Sequence, residues 1–204
     1  MPADAPATLA DLRGAFSGQP CSIVGKGPSL ALLRREHLVP GPVITLNQAV
    51  LRVERLQPPG PVFSMQKDGC GSMVPGHVCA KEVVRPAAAT LLVHLHESPH
   101  CLEDYRPRIT FDATAELGLP WREFSANCAI ALARLLGCPA VRLIAFDACT
   151  CGDLRSIDST HPEPLPAYVD QCARMAPLLV EADEWLQPDW DGSVRRYNNL
   201  LEPL

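Results

Sequence analysis

Short apolar runs alternate with segments of helical character along much of the chain. Five runs predict strands, of which the first, 21–25 (CSIVG), and the last, 140–147 (AVRLIAFD), are expected to be buried. The others are 42–50 (PVITLNQAV), which runs into a loop or short helix, 60–69 (GPVFSMQKDG), which ends at a turn, and 89–98 (ATLLVHLHES). A sixth run, RITFDA at 108–113, is a candidate short strand. Because strands that alternate with helices usually pair in parallel, this pattern predicts an α/β fold with a mostly parallel sheet flanked by helices.

Three other segments predict helices. PSLALLRREHL at 28–38 carries proline at its first position, where the missing N–H would have no helical partner anyway. SANCAIALARLLG at 125–137 has Ser125 as a candidate N-cap and Gly137 as its end. AYVDQCARMAPLLVEAD at 167–183 predicts a third helix, which a proline near its middle would kink or split.

The length of 204 residues suits one well-buried domain. We expect an N-terminal extension at 1–20, the domain at 21–183, and a tail at 184–204 that packs on the domain. The net charge of −5 disfavours non-specific binding to nucleic acid. No apolar stretch reaches the length of a membrane helix and the N-terminus lacks the pattern of a signal peptide. The sequence therefore predicts a cytoplasmic protein without a membrane span.

The first predicted strand runs into a glycine loop, Gly25-Lys26-Gly27-Pro28-Ser29. The two glycines let the backbone turn and approach a ligand closely, because no Cβ is in the way. If a helix begins at Pro28, the amides at its start favour an anion, and Ser29 and Lys26 add a hydroxyl and a positive charge. The loop is therefore a candidate phosphate cradle. It is neither a P-loop nor a complete dinucleotide fingerprint, and a tight turn without a ligand is the alternative.

Polar residues also follow other predicted strands. Thr45 and Asn47 end the second strand, Ser64–Asp68 the third, and Asp147 the last. The carboxyl ends of parallel strands meet at one edge of the sheet, where such folds bind their ligands. Lys67 could neutralise a second phosphate there or be an exposed turn residue, and Asp147 could bind ribose hydroxyls or cap a turn.

Four motifs together resemble one known family: VGKGPSL at 24–30, ITLNQAV at 44–50, SANCAIALARLLG at 125–137 and VRLIAFD at 141–147. In order and approximate spacing they are similar to a Rossmann-like superfamily. It joins the bacterial sialyltransferases of the Campylobacter type with the DUF115 proteins, which include archaeal 6-hydroxymethylpterin pyrophosphokinases. The similarity covers about residues 21 to 180 and implies a Rossmann-like fold with a nucleotide site over the strand ends.

The resemblance implies a glycosyltransferase-like enzyme that uses a nucleotide-sugar donor of the CMP or UDP type as co-substrate and requires no cofactor. His161, fourteen residues beyond Asp147, stands where the sialyltransferases carry a general base. An imidazole suits removal of a proton from an acceptor hydroxyl, and a solvated loop histidine is the alternative. The residues expected to bind the nucleotide or donor are Gly25, Lys26, Gly27, Pro28, Ser29, Asn47, Lys67, Asp68, Ser125, Ala126, Asn127 and Asp147.

The chain departs from the family pattern at three positions. Lys26 replaces an asparagine, Ala126 the glycine of the helix start, and Ala145 the glycine before Asp147. The tyrosines that assist the leaving phosphate in the sialyltransferases have no clear equivalents. Two other functions stay open: a DUF115-type pyrophosphokinase that uses ATP and Mg²⁺, and a non-catalytic nucleotide-binding accessory protein, for example of a phage. The acceptor of a transferase is left open.

Cysteine and histidine are grouped at several places in the chain. A zinc site needs four converging ligands, and no pair in these groups has the CxxC spacing that makes such sites convincing. We therefore expect no metal, and most of the nine cysteines to be free, buried thiols; a structural zinc is the alternative. The groups are His94, His96, His100 and Cys101; Cys70, His77 and Cys79; and Cys149 and Cys151.

Overall fold

The structure of the protein, a computed structural model, describes residues 8–26, 30, 33–66, 84–94, 102–119 and 125–145, together with the backbone of 193–197. Its centre is one parallel sheet of seven strands flanked by helices. This architecture confirms the predicted Rossmann-like α/β fold in a single domain. The strands are β1 (Cys21–Val24), β2 (Val43–Leu46), β3 (Val62–Met65), β4 (Thr90–His94), β5 (Arg108–Phe111), β6 (Ala140–Ile144) and β7 (Ser193–Tyr197).

The order of the strands across the sheet is β5-β4-β3-β2-β1-β6-β7. The chain therefore builds outward from β1 to β5 and then crosses back, placing β6 on the other side of β1. Val24, the last residue of β1, is level with Thr45 of β2 and with Ile144 of β6. The carboxyl ends of these three central strands consequently lie side by side.

In the described ranges, α-helices and short 3-10 turns accompany the strands. The helices are α1 (Ala49–Arg55), α2 (Ala113–Leu117) and α3 (Ser125–Leu135), and the turns are Ala10–Leu12 and Arg35–His37. α3 confirms the helix predicted at 125–137, and Gly137 follows it with a φ of +81°, as a helix-ending glycine does. The helix predicted at 167–183 lies outside the described residues. Within the described part of the chain, no helix is both long and apolar enough to cross a membrane.

The prediction of a helix at 28–38, after the glycine loop, is wrong for the second half of this range. Leu33 and Arg34 are not helical, and Arg34 has extended dihedral angles (φ −122°, ψ 162°) before the single 3-10 turn. Two guanidinium groups from distant elements hold this segment in place. Arg52 donates to the carbonyl of Leu33, and Arg142 donates to the carbonyl of His37, each at 2.8 Å. Tertiary contacts therefore override the helix propensity of the leucines and arginines here.

Apolar side chains cover both faces of the sheet. On one face α3 packs on β1 and β2, over a core that includes Ile23, Ile44 and Phe111. On the other face α1 packs on β2 and β3, over a second core that includes Val24 and Val43. The strands are buried on both sides, which explains why they read in the sequence as continuous apolar runs rather than as alternating ones.

Residues 8–18, which we name the N-terminal segment, pack against the carboxyl-terminal end of α3. The N–H of Gly14 donates to the carbonyl of Leu135 at 2.8 Å, and that of Phe16 donates to Leu136 at 2.9 Å. Carbonyls at the end of a helix have no partner within the helix itself. The N-terminal segment supplies those partners, and its two leucines are buried in the α3-side core.

The carboxylate of Glu54 ties α1 to the segment that leads into β4. Its two oxygens accept the backbone N–H groups of Ala87, Ala88 and Ala89, each at 2.8 Å. Beside this contact, Tyr105 donates its hydroxyl to the carbonyl of Ala89 at 2.7 Å. Burial raises the pKa of Tyr105, and the negative charge of Glu54 raises it further. The contact fixes the path of the chain across the α1 face of the sheet.

We expect Glu54→Ala to lower the free energy of unfolding by about 2 kcal/mol, because three amides lose a charged acceptor. Glu54→Gln is expected to cost less, since its remaining carbonyl oxygen can still accept two of the amides. Urea denaturation measures both changes. As a matched control, Glu36→Ala removes an exposed carboxylate that lies 3.9 Å from Arg34 and should cost no more than about 0.5 kcal/mol. Equal losses for Glu54→Ala and Glu36→Ala would contradict the role given to Glu54.

Candidate functional site

The order in which successive strands are added to the sheet reverses at β1. β2 pairs with one side of β1, and β6 pairs with the other side. In an open parallel sheet this reversal leaves a crevice beyond the carboxyl ends of the two strands, because their connections depart over opposite faces. We name the region beyond Val24 of β1 and Ile144 of β6 the switch crevice. It is the candidate functional site.

The glycine loop begins at the switch crevice. Gly25 is buried, and its N–H donates to the carbonyl of Ile144 in β6 at 2.8 Å. This amide therefore belongs to the sheet and is not a donor for a ligand. Lys26 follows directly and is half-buried, so a positive charge stands at the crevice. Because no helix runs on through Leu33, the segment that follows the loop offers an anion no long-helix dipole of its own.

The strands on either side of β1 both end in left-handed backbone. Asn47 after β2 has a φ of +49°, and Ala145 after β6 has a φ of +57°. Asparagine tolerates this conformation, whereas alanine pays roughly 1–2 kcal/mol for it. In the family pattern that the sequence resembles, this position is a glycine. Ala145 has a left-handed φ that favours glycine, although its side chain is that of alanine. The N–H of Asn47 donates to the carbonyl of Met65 at 2.9 Å, which keeps the turn after β2 in line with β3.

Ser125, Ala126 and Asn127 form the first turn of α3. The helix ends at Leu135 and β6 begins at Ala140, so the carboxyl end of α3 lies at the amino edge of the sheet. Eleven residues of helix span about 16 Å, which is about the length of a five-residue strand. The helix therefore returns its first turn to the carboxyl edge, on the face of β1 and β2. Ser125 is the first residue of α3, whereas the sequence predicts it as the N-cap, the residue that precedes the first helical one.

No protein-family model and no curated protein matches this chain. The similarity of its motifs to the sialyltransferase and DUF115 superfamily therefore stays a prediction, and the functional proposal depends on the chemistry of the switch crevice.

Three polar side chains near the strand ends are buried and form hydrogen bonds within the protein. Thr45 and Ser64 are fully buried, and the hydroxyl of Thr45 donates to the carbonyl of Phe63 at 3.3 Å. The amide nitrogen of Gln66 donates to the hydroxyl of Ser64 at 3.0 Å and to the carbonyl of Val84 at 2.6 Å. The amide oxygen of Gln66 accepts the N–H of Val84 at 2.8 Å. These side chains hold the chain after β3 in place. Of the polar residues predicted at the end of this strand, those that could still bind a ligand are Lys67 and Asp68.

The predicted site residues divide into those that the structure describes and those that it does not. The described ones follow β1 or β2 or lie in the first turn of α3: Gly25, Lys26, Asn47, Ser125, Ala126 and Asn127. The remaining ones lie outside the described residues and stay predictions: Gly27, Pro28, Ser29, Lys67, Asp68, Asp147 and His161.

His94 is the one member of the predicted cysteine and histidine groups that the structure describes. It is fully buried, its Nε2 accepts the N–H of Ala113 at 3.3 Å, and its ring packs edge-on against Phe111 at 5.4 Å. His94 therefore joins β4 to α2 as part of the core. Over the described ranges, no group of three cysteine, histidine or acidic side chains could hold a metal ion. The other members lie outside these ranges: His96, His100, Cys101, Cys70, His77, Cys79, Cys149 and Cys151.

Proposed function

We propose that the protein is a nucleotide-dependent transferase, glycosyltransferase-like, that binds a nucleotide-sugar donor of the CMP or UDP type in the switch crevice. The observation that carries the proposal is the position of the glycine loop. The loop begins at the carboxyl end of β1, where the order of the parallel strands reverses, and such folds bind nucleotides at this point. The similarity of the four sequence motifs to the sialyltransferase and DUF115 superfamily supports the same assignment.

The charges at this edge suit a phosphate. Lys26 brings a positive charge to the crevice, and the first turn of α3 presents the positive end of an eleven-residue helix to the same edge. The N–H of Gly25 is committed to β6, so it is not among the groups expected to bind the phosphate. A phosphate held by these groups would be stabilised further as negative charge develops on it when the sugar leaves.

The remaining roles come from residues beyond the described part of the site. Asp147, three residues after the end of β6, would bind the ribose hydroxyls of the donor. His161 would take the proton of an acceptor hydroxyl while the hydroxyl oxygen attacks the anomeric carbon and the bond from that carbon to the phosphate oxygen breaks. The transfer needs no resident cofactor, since the donor carries its own leaving group.

Lys26 also suits a second function, the transfer of pyrophosphate from ATP. A lysine at this place, where the sialyltransferases carry asparagine, adds charge for a longer phosphate chain, and Lys67 could add more. This reaction differs from glycosyl transfer in its requirement for Mg²⁺, which ATP-dependent enzymes bind through carboxylates and phosphates.

Thermal unfolding in the presence of CMP, UDP, GDP or ATP, each with and without Mg²⁺, separates these functions. A rise in Tm with CMP or UDP alone supports a nucleotide-sugar donor. A rise with ATP only when Mg²⁺ is present would replace glycosyl transfer by pyrophosphoryl transfer. If a nucleotide binds but donor and ATP are not turned over with any acceptor, the protein is a nucleotide-binding accessory protein. If no nucleotide changes Tm, the proposal is wrong.

We expect Lys26→Glu to weaken the affinity for the stabilising nucleotide by at least about tenfold, because an attraction to phosphate becomes a repulsion. Titration calorimetry on the folded variant measures the change. Arg13→Glu makes the same change of charge in the exposed N-terminal segment, at the other end of α3, and should leave the affinity unchanged. A similar loss in both variants would mean that only the net charge matters, and the assignment of Lys26 would then be wrong.

A further inference from the structure

Residues 33–39, which we name the crossover segment, carry the chain from the glycine loop back towards β2 over the α1 face of the sheet. Two parallel neighbouring strands are usually joined by a helix, whose own backbone hydrogen bonds hold the loop that precedes it. Here the chain is not helical at Leu33 or Arg34. The far end of the glycine loop must therefore be held by contacts from other elements.

Two arginine side chains bind the backbone of the crossover segment. Arg52 of α1 donates to the carbonyl of Leu33, and Arg142 of β6 donates to the carbonyl of His37, each at 2.8 Å. Both arginines are half-buried. A hydrogen bond from a charged donor is about twice as strong as one between neutral groups. The two guanidinium groups thus replace part of the backbone hydrogen bonding that a helix would supply.

A buried serine of β1 binds the end of the same segment. The N–H of Val39 donates to the hydroxyl oxygen of Ser22 at 3.0 Å, and Ser22 is fully buried. Ser22 is paired across the sheet with Arg142, so the two side chains leave the sheet on the same face. Together with Arg52, these contacts fix the crossover segment against α1, β1 and β6.

Both ends of the glycine loop are anchored as a result. At one end, the N–H of Gly25 is bonded to β6. At the other end, Leu30 is 1 % exposed, and its carbonyl accepts the N–H of Leu33, the residue that Arg52 binds, at 3.2 Å. Only residues 26–29 lie between the two anchors. A short loop with both ends fixed has less conformational freedom to lose when it closes on a ligand.

We propose that Arg52 and Arg142 are positioning residues for nucleotide binding, which hold the crossover segment so that the glycine loop is pre-organised for the phosphate. This role rests on the proposed function, because it assigns the loop to the phosphate of the donor. The two guanidinium groups act through backbone carbonyls of the crossover segment and not through contact with the nucleotide. Loss of either one raises the entropy that the loop gives up on binding, so it weakens the affinity for the nucleotide.

Brief digestion of the folded full-length protein with trypsin tests the anchoring without any nucleotide. Trypsin cuts after Lys26, inside the glycine loop, and after Arg13, in the N-terminal segment, and mass spectrometry of the fragments gives the initial rate at each site. We expect Arg52→Met and Arg142→Met each to raise the ratio of the rate at Lys26 to the rate at Arg13 several-fold, because the loop opens more often. If neither variant changes this ratio, the proposal is wrong.

Two control variants in α1 separate this role from charge and from overall stability. Arg55→Met removes the same charge from an exposed position of the helix, three residues beyond Arg52. Glu54→Ala removes the contact of α1 with the segment that leads into β4 and so destabilises the protein elsewhere. Both controls should keep the wild-type ratio of cleavage rates. A rise in either control as large as in Arg52→Met would overturn the positioning role.

Titration calorimetry with CMP and with UDP connects the anchoring to binding. We expect Arg52→Met and Arg142→Met to weaken the affinity for the nucleotide that binds the wild-type protein by about three- to tenfold, and the two control variants to keep it. If the wild-type protein binds a nucleotide and the arginine variants bind it equally well, the proposed function stands and the positioning role is wrong. A wild-type protein that binds neither nucleotide would contradict the nucleotide-sugar donor, and the positioning role with it.

Discussion

His161→Ala is expected to lower the turnover of the donor by about 10²–10⁴-fold and to leave the affinity for the donor unchanged. The last described residue of the chain before this histidine is Ala145, whose backbone turns away from the end of β6 at the switch crevice. β6 ends at the edge proposed for the donor, and His161 follows β6 in the sequence. A base that acts only on the acceptor hydroxyl affects the rate without affecting the binding of the nucleotide.

Release of nucleotide from a saturating donor measures the turnover, and titration calorimetry measures the affinity. His37→Ala is the matched control, because His37 lies in the 3-10 turn that Arg142 holds on the α1 face. We expect this control to keep its turnover. Unchanged turnover in His161→Ala would remove the histidine from the mechanism. A loss of affinity as large as the loss of turnover would make it a residue that holds the donor.

Phe111→Ala is expected to lower the free energy of unfolding by about 3–5 kcal/mol. The phenylalanine ends β5, is 1 % exposed, and packs edge-on against His94 in the α3-side core. Removal of the ring would leave a cavity between β4, β5 and α2 that the surrounding strands cannot close. Because β5 lies four strands away from β1, the variant should still bind nucleotide under conditions in which it is folded.

Urea denaturation measures this loss, and two further variants locate its cause. Phe111→Leu keeps most of the apolar volume and should cost about 1–1.5 kcal/mol. Thr110→Ala changes the exposed neighbour in the same strand and should stay within about 0.5 kcal/mol of the wild-type protein. A Phe111→Ala variant as stable as Thr110→Ala would show that the ring does not fill the core at this edge.

The sequence predicts the strands well because each is a short apolar run between polar or turn residues. The second run, at 42–50, predicts a strand that continues into a loop or short helix, and this is confirmed: β2 ends at Leu46, Asn47 turns the chain and α1 begins at Ala49. α2 is missed, although its signals are present in the sequence. Asp112 caps its first amides, and Gly118 ends it in left-handed conformation. A helix of five residues is too short to show a periodic apolar face, so these caps are the only local signal.

The failed helix after the glycine loop has a different cause. Its leucines and arginines have good helix propensity, but Arg52 and Arg142 bind two carbonyls of the segment from elements that are distant in the sequence. No local pattern contains these contacts. The same holds for the candidate site, where the polar strand ends are visible in the sequence but the pairing of Gly25 with Ile144 is not. Only the order of the strands shows which two ends border the crevice.

The central position of β1 in the sheet affects folding of the protein during its synthesis on the ribosome. β1 is the first strand to be made, yet Val24 pairs on one side with Ile144, 120 positions away along the chain. Until that partner emerges, one row of peptide groups in the middle of the future sheet stays open to other chains. Contacts so distant in sequence form slowly, so the nascent polypeptide is exposed to aggregation for most of its synthesis.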